Sequence, residues 1–434
     1  MVNILVAVPA FGKIASSFFG ILLLYRLRVP LGISMIINSL LLMLWAGTGT
    51  IQSFSRLKIV LLPENMLLLI AILLLIFFTE ALRETGKMQR TIDSLKSLFR
   101  KSIYLYAGFP ALIGLLPMPG GALFSAPFVK SVDEHNDLKP QQKAAINYWF
   151  RHIWEYWWPL YPGVILAIKF SGLSPGTYFA LQMPFTLASV AGGYFFILRG
   201  ISSKNISLKH GACNPNAVTA TLVPIAVLVL CAVAGTWILE KVNSPESLGN
   251  IPAILGGLVL SLFIVFFRNT RSIIPALAMF KSKSIWAIIG VVIGVQLYSS
   301  ALKAPVADSG QTLVSLMRDE FLSTGFPIVL VIMLVPFISG VITGIAMGFV
   351  GASFPLVFAI IGENPDFNVV AATTALAFGF GYVGMLLSPV HICLVVTNEY
   401  FKSRLVTSYP RLIGPASTIL IMSICLAGLY YIVL

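Results

Sequence analysis

One pattern constrains this chain more than any other: a set of Gly/Pro-broken apolar segments occurs twice, in the same order. In the first half Gly108-Phe109-Pro110 opens an apolar stretch that closes at Gly121-Ala122-Leu123-Phe124-Ser125-Ala126-Pro127. A polar break and an interrupted segment, Asn147 to Ala167, follow. In the second half Gly325-Phe326-Pro327 opens and Gly351-Ala352-Ser353-Phe354-Pro355 closes. After the break at Glu363 to Asn368 comes the interrupted segment Ala375 to Thr397. Pro159 aligns with Pro389 at an offset of 230 residues, and the next spans align Tyr178 with Tyr409 and Pro184 with Pro415 at 231. Paired, broken hydrophobic segments in two halves point to the binding site of a secondary transporter.

Composition agrees with a polytopic membrane protein. The chain is 58% hydrophobic and 10% charged, with mean hydropathy +0.92, which leaves too few charges to solvate a globular surface of its length. Apolar runs able to cross the roughly 30 Å of hydrocarbon recur throughout. Spans are expected near 3–24, 30–50, 60–82, 145–168, 177–198, 218–240, 251–267, 284–302, 369–400 and 410–433. The start of the chain lacks the basic residues and small-x-small site of a cleavable signal and reads as the first span. Cys213, Cys231, Cys393 and Cys425 sit singly, and their pattern is that of small buried hydrophobes, not of a disulfide framework or a metal pair.

Net charge +13 is concentrated in particular loops, so it needs no nucleic-acid partner. Of the 29 basic residues, 20 fall in clusters around Arg26, Arg83 to Lys101, Lys130 to Lys143, Arg199 to Lys209, Arg268 to Lys283 and Lys402, whereas the alternate loops hold 6. By the positive-inside rule the rich loops are cytoplasmic and both termini lie outside. The segment near 103–129 then begins and ends inside, and the segment near 325–361 begins and ends outside. Each half becomes about five transmembrane helices plus one re-entrant hairpin, and an odd span number inverts the second copy. Irregular backbone in hydrocarbon leaves amides unpaired at several kcal/mol each, so such hairpins need protein or a water-filled cavity around them. The alternative is a set of ordinary Pro-kinked spans with a different topology.

The expected fold is therefore an all-α polytopic membrane protein built of two inverted repeats with broken helices, 1–210 and 211–434, with transport elements near 103–168 and 325–400. At the hairpin tips, Pro117-Met118-Pro119-Gly120-Gly121 forbids a continuous helix and exposes the next amides, which attract anions, with Ser125 one turn on. Gly340, Gly344, Gly348 and Gly351 with Thr343 and Ser353 offer the same chemistry in the second copy, or close helix packing through small-xxx-small spacing.

The interrupted segments carry ionisable residues, which in a span usually mark a cavity or an ion path. Arg151, His152 and Glu155 precede the Trp158-Pro159 break, with Arg151 and Glu155 spaced to pair on one helical face and Asn147 one turn earlier. The tryptophans nearby suit a membrane-interface belt equally well. In the second copy Gly379, Gly381 and Gly384 ahead of Ser388-Pro389 favour an unwound stretch. His391, a side chain with a pKa near about 6.5 when unperturbed, is a candidate proton carrier, and a histidine satisfied within a bundle is the commoner case.

At Pro117 to Pro127, Asn147 to Pro159 and Ser388-Pro389-Val390-His391 the chain resembles the domain of unknown function 401 family of integral membrane proteins, over essentially its whole length. That family is similar in layout to the ion transporter superfamily, with its gluconate, citrate and dicarboxylate permeases and large subunits of tripartite transporters. The resemblance implies an elevator-type carrier in the cell (inner) membrane, often a homodimer, and names no substrate. The paired Ser-Asn-Thr sodium signature of the dicarboxylate branch is not found.

The expected function is a permease for a small anionic organic solute coupled to H+ or Na+, with substrate contacts at Pro119, Gly120, Gly121, Ser125, Arg151, Trp158, Pro159, Gly351, Ser353, Ser388 and Pro389. Asn147, His152, Glu155, Thr343 and His391 are assigned to the coupling ion. No cofactor or resident metal is expected, although a transported Na+ fits. An intramembrane hydrolase using Ser353 or Ser388 with His391, or a passive channel, is the alternative, but no Gly-x-Ser-x-Gly, His-Glu-x-x-His or phosphate-loop pattern occurs. Glu155→Gln is expected to be more damaging than a change at a loop carboxylate such as Asp133.

The charge asymmetry predicts that a cysteine introduced at Asn364 reacts with a membrane-impermeant maleimide in intact cells. Protection of that cysteine would overturn the inverted topology.

Overall fold

The computed structural model describes residues 8–47, 53, 55–86, 102–115, 121–133, 137–201, 215–241, 248–267, 273–306 and 310–434. Pro119 and Gly120, Cys213 and the basic residues between 87 and 101 and between 202 and 214 lie outside them. The first half contains α1 Ala10–Arg26, α2 Leu31–Trp45, α3 Pro63–Glu84, α4 Ser102–Gly114, α5 Ala122–Val132, α6 Pro140–Arg151, α7 Pro162–Ser171 and α8 Pro175–Gly193. The second contains α9 Pro215–Lys241, α10 Ile251–Phe267, α11 Ile273–Leu277, α12 Lys283–Leu302, α13 Leu313–Thr324, α14 Ile328–Thr343, α15 Ala346–Ile360, α16 Phe367–Leu386, α17 Ile392–Tyr400 and α18 Leu405–Val433. No strand occurs among the described residues.

Local chemistry sets many of these boundaries. Proline stands in the first turn of α3, α6, α7 and α8, where its missing N–H removes no helical bond. The Ser174 hydroxyl accepts from the Thr177 amide at the start of α8. Gly344, at φ 63°, ends α14 in the left-handed conformation and lets the chain reverse into α15 within two residues. The amides of Ala10 and Phe11 at the start of α1 donate to the Glu320 carboxylate of α13 at 2.6 and 2.8 Å, which ties the beginning of one half to the other.

Six helical stretches among the described residues are long and apolar enough to cross a membrane: Pro63–Glu84, Pro175–Leu198, Val218–Leu239, Lys283–Leu302, Phe367–Leu386 and Leu405–Val433. Other expected spans are shorter helices, such as α2 with 15 residues and α10 with 17. Large apolar side chains stand exposed along the long helices, including Leu187, Trp237 and Ile432, as a lipid-facing surface requires. The two interrupted segments are broken as expected, at 152–161 between α6 and α7 and at 387–391 between α16 and α17.

Packing partners recur in matched pairs. α1 packs on α2 as α9 packs on α10, and α2 packs on α12 as α10 packs on α3. Around the breaks, α4 packs on α6 as α14 packs on α16, and α5 packs on α17 as α15 packs on α7. α8 and α18 pack on each other.

The expected unwinding at Gly379, Gly381 and Gly384 does not occur, because α16 is continuous from Phe367 to Leu386. These glycines serve close packing instead. A Cβ at Gly384 would overlap the Phe337 carbonyl of α14, one at Gly381 the Phe349 ring, and one at Gly379 the Ser423 hydroxyl. Gly384→Val is therefore expected to destabilise the purified protein by about 1–3 kcal/mol through overpacking. Gly256→Ala, where a Cβ meets open space, should leave the melting temperature unchanged or slightly raised. Equal melting temperatures for both variants would remove this account of the α14–α16 contact.

Candidate functional site

The two breaks meet in the interior. Helix ends there leave carbonyls and amides without helical partners, and in an apolar environment these must be satisfied by the protein. The end of α4 is received by the first break: the indoles of Trp154 and Trp158 donate to the carbonyls of Ala111 and Leu115, both at 2.8 Å, and the Tyr161 hydroxyl donates to that of Gly114. Trp149 donates to Ser189 and Trp157 to Thr186 on α8. All four indoles therefore have protein partners, and the tryptophans hold the break against α4 and α8.

The end of α14 is received by the second break in a similar way. The Ser388 hydroxyl donates to the Val341 carbonyl at 2.6 Å, and a Cβ on Gly344 would sit 3.0 Å from the His391 amide nitrogen. The Thr343 carbonyl accepts from the Tyr25 hydroxyl of α1 at 3.2 Å, while the Thr343 hydroxyl turns back to Ser339.

The breaks also cap each other. The Tyr148 hydroxyl of α6 donates to the Leu386 carbonyl at the end of α16, at 2.8 Å, and the Tyr382 hydroxyl of α16 donates to the His152 carbonyl at the end of α6. Both pairs are related by the same offset of 234 residues.

Between these caps lies a buried ionisable cluster. His152 and His391 face each other with their Nε2 atoms 3.2 Å apart, and Glu155 Oε1 is 3.8 Å from His152 Nε2. Arg151, 2% exposed, crosses from the first half to donate to Cys393 Sγ at 3.6 Å. Its guanidinium also occupies the space where a side chain at Gly121 would lie. The Tyr161 and Tyr382 hydroxyls neighbour the Glu155 carboxylate. Asn147 donates through Nδ2 to the Ala122 carbonyl at 3.0 Å and the Thr397 hydroxyl at 3.1 Å, joining α5 to α17. The first helix stops at Arg151, so the expected one-face pairing with Glu155 gives way to a turn in which the nearest basic group to Glu155 is His152.

The structure thus brings Gly121, Asn147, Arg151, His152, Glu155 and His391 together. Trp158, Ser388 and Thr343 lie at the break–hairpin contacts around them, and Pro159 is buried within the first break. Ser125 is buried within α5 and donates to its own turn at Ala122, and Pro389 is exposed.

Gly351 and Ser353 are not at the second hairpin tip, which is Gly344-Ile345; they lie inside α15, where Gly351 packs on Val295 of α12 and Ser353 donates to Phe349. Tyr148, Tyr161, Tyr382 and Cys393 were not foreseen. Cys393 could have been found from its place two residues after His391, and the tyrosines from their spacing to the helix ends.

A cavity of about 320 Å³ opens beside the second break, lined by Tyr25, Arg26, Arg28, Val29, Pro30, Ile342 and Val390. A separate cavity of about 360 Å³, largely apolar, lies between α3, α9 and α10 and includes none of the cluster residues.

Helices able to cross a membrane, interrupted in the interior around an ionisable cluster, define a polytopic helical membrane protein. The chain belongs to the family described as protein of unknown function DUF401, whose model matches residues 13–433. No curated protein matches the chain.

Asp133 proves unsuitable as a comparison carboxylate. It is buried, pairs with Lys143 at 2.8 Å and accepts the amides of Asp137 and Leu138. Glu363, which is exposed, is the better comparison. Glu155→Gln removes the carboxylate of a buried cluster, 3.8 Å from His152, and is expected to destabilise by about 1–3 kcal/mol, whereas Glu363→Gln stays within about 0.5 kcal/mol. Thermal melts of both variants in detergent measure the difference, and matching melts would place Glu155 outside the charge network.

Proposed function

We propose that this chain is a secondary active transporter, a permease for a small anionic organic solute coupled to H+ or Na+, working by elevator-type alternating access. The observation that carries the reading is the buried cluster of Arg151, His152, Glu155 and His391, assembled where two interrupted helices from the two halves meet. Ionisable groups so placed are costly and are characteristic of substrate and ion paths. Arg151 supplies a fixed positive charge for an anion. The facing histidines with Glu155 supply groups able to relay a proton.

Two inverted repeats, 1–210 and 211–434, are supported by the matched packing partners and by the reciprocal tyrosine caps. On this reading α4 to α7 and α14 to α17 form the mobile unit, and α1 to α3 with α9, α10 and α12 the scaffold of a homodimer in the cytoplasmic membrane, with both termini outside. The cavity rimmed by Arg26 and Arg28 then lies between scaffold and mobile unit, where an anionic solute would arrive. A hydrolase is less well supported, since the hydroxyls of Ser353 and Ser388 both donate to backbone carbonyls.

The experiment is a thermal-shift panel of small organic acids on purified protein, followed by counterflow of the stabilising acid in proteoliposomes. Accelerated exchange is expected; consumption of the acid would indicate an enzyme, and flux without exchange acceleration a channel. Gly121→Val, whose side chain displaces the Arg151 guanidinium, should abolish uptake in membranes holding equal amounts of folded protein. Unchanged uptake in both Gly121→Val and Ser388→Ala would place the solute elsewhere.

A further inference from the structure

The same meeting point also holds a thiol that proton relay does not require, Cys393, beside the two facing histidines. His152 follows the last residue of α6, and His391 and Cys393 begin α17; all three are buried, and their ligand atoms lie within 4.8 Å of one another. The Nε2 atoms of the two histidines are 3.2 Å apart. An ion bound at the usual zinc–nitrogen distance of about 2.05 Å from both would see them at an angle of about 100°, close to tetrahedral.

The tautomer of His152 favours this use. Its Nδ1 lies 2.6 Å from the Tyr148 carbonyl, which can only accept, so Nδ1 carries the proton and Nε2 turns a lone pair into the cluster. A ring N–H held by a backbone carbonyl is the arrangement by which metal-bound imidazoles are oriented. Glu155 Oε1, 3.8 Å from His152 Nε2, is the nearest carboxylate oxygen to that nitrogen among the described residues. The Arg151 guanidinium, 3.6 Å from Cys393 Sγ, donates to the sulfur as an outer partner of a thiolate ligand.

We propose that His152, His391 and Cys393 bind one tetrahedral divalent ion of the Zn2+ type and so clamp the two interrupted helices together, with the Glu155 carboxylate moving in as the fourth ligand when the ion binds. Two imidazoles and a thiolate select Zn2+, Co2+ or a similar borderline-soft ion over Mg2+ or Ca2+, which take oxygen sets. The thiolate and Glu155 together balance a divalent charge, and Arg151 remains outside the coordination sphere. His152 and Glu155 come from the first half and His391 and Cys393 from the second, so the ion would cross-link the halves. The nearby cavity reaches Val390, next to His391, but Arg26 and Arg28 on its rim oppose entry of a free cation, so the ion is expected to be acquired in the cell. The proposal does not depend on what the protein transports.

The test uses the full-length protein purified from cells grown with added Zn2+ or Co2+. Metal analysis should find about one ion per chain, and the Co2+ protein should show tetrahedral d–d bands with a thiolate-to-metal charge-transfer band. His391→Ala should reduce the metal to background, and Cys393→Ser should lose the charge-transfer band, while Glu363→Gln keeps both. A folded, monodisperse wild-type protein without stoichiometric metal would overturn the proposal, as would Co2+ bound without a thiolate band. Metal retained unchanged in both His391→Ala and Cys393→Ser would place it elsewhere in the chain. Where a variant does not fold, the wild-type content and spectrum decide.

Discussion

An interrupted helix in an apolar interior must find partners for the backbone groups it releases, and this requirement organises the centre of the molecule. The C-terminal ends of four helices there are each met by a side-chain donor from another element. Trp154, Trp158 and Tyr161 serve the end of α4, Ser388 and Tyr25 the end of α14, Tyr382 the end of α6, and Tyr148 the end of α16. Beyond the second break, the Tyr409 hydroxyl of α18 donates to the Leu387 carbonyl at 3.1 Å. Unsatisfied, each such group would cost on the order of 1–3 kcal/mol, so the aromatic residues of this region are structural before they are anything else.

That framework allows a charged cluster to exist at the core. Arg151 at 2% exposure and Glu155 at 6% would be heavily penalised alone. They are tolerated because they share one small volume with two histidines, a cysteine and several hydroxyls, and because their supporting helices are fixed from both ends. The outer helices are plainer: α2 and α12, or α3 and α10, meet through apolar and small residues and leave their far faces to lipid.

The broken segments were legible in the sequence because a proline inside a long apolar run removes a helical hydrogen bond, and an ionisable residue there needs a partner or a cavity. The breaks at Pro159 and Pro389, and the grouping of Arg151, His152 and His391, follow from that. What could not be read was the choice between glycine as a flexible joint and glycine as a packing surface. Gly381 and Gly384 sit in an unbroken helix pressed on α14, and Gly351 rests on α12, whereas Gly344 does turn the chain. Only tertiary contact separates these cases. Asp133 was misread for a related reason: a loop carboxylate has an ordinary meaning, which here yields to the lysine that the fold brings to it, whereas Cys393 is free and buried as expected and gains the Arg151 guanidinium as a partner.

The mutual capping of the two interrupted helices has one further consequence, for the tolerance of this region to changes in length. In each helix the tyrosine lies four residues before the carbonyl that its counterpart caps, Tyr148 before His152 and Tyr382 before Leu386. Removing or inserting one residue within either four-residue interval would rotate a hydroxyl away by about 100° and also misplace the carbonyl that the other hydroxyl needs. One indel therefore breaks two bonds, one in each half, and no single compensating indel in the same helix outside that interval restores both. The spacing can change only if both copies change together, which couples the evolution of two segments separated by more than half the chain.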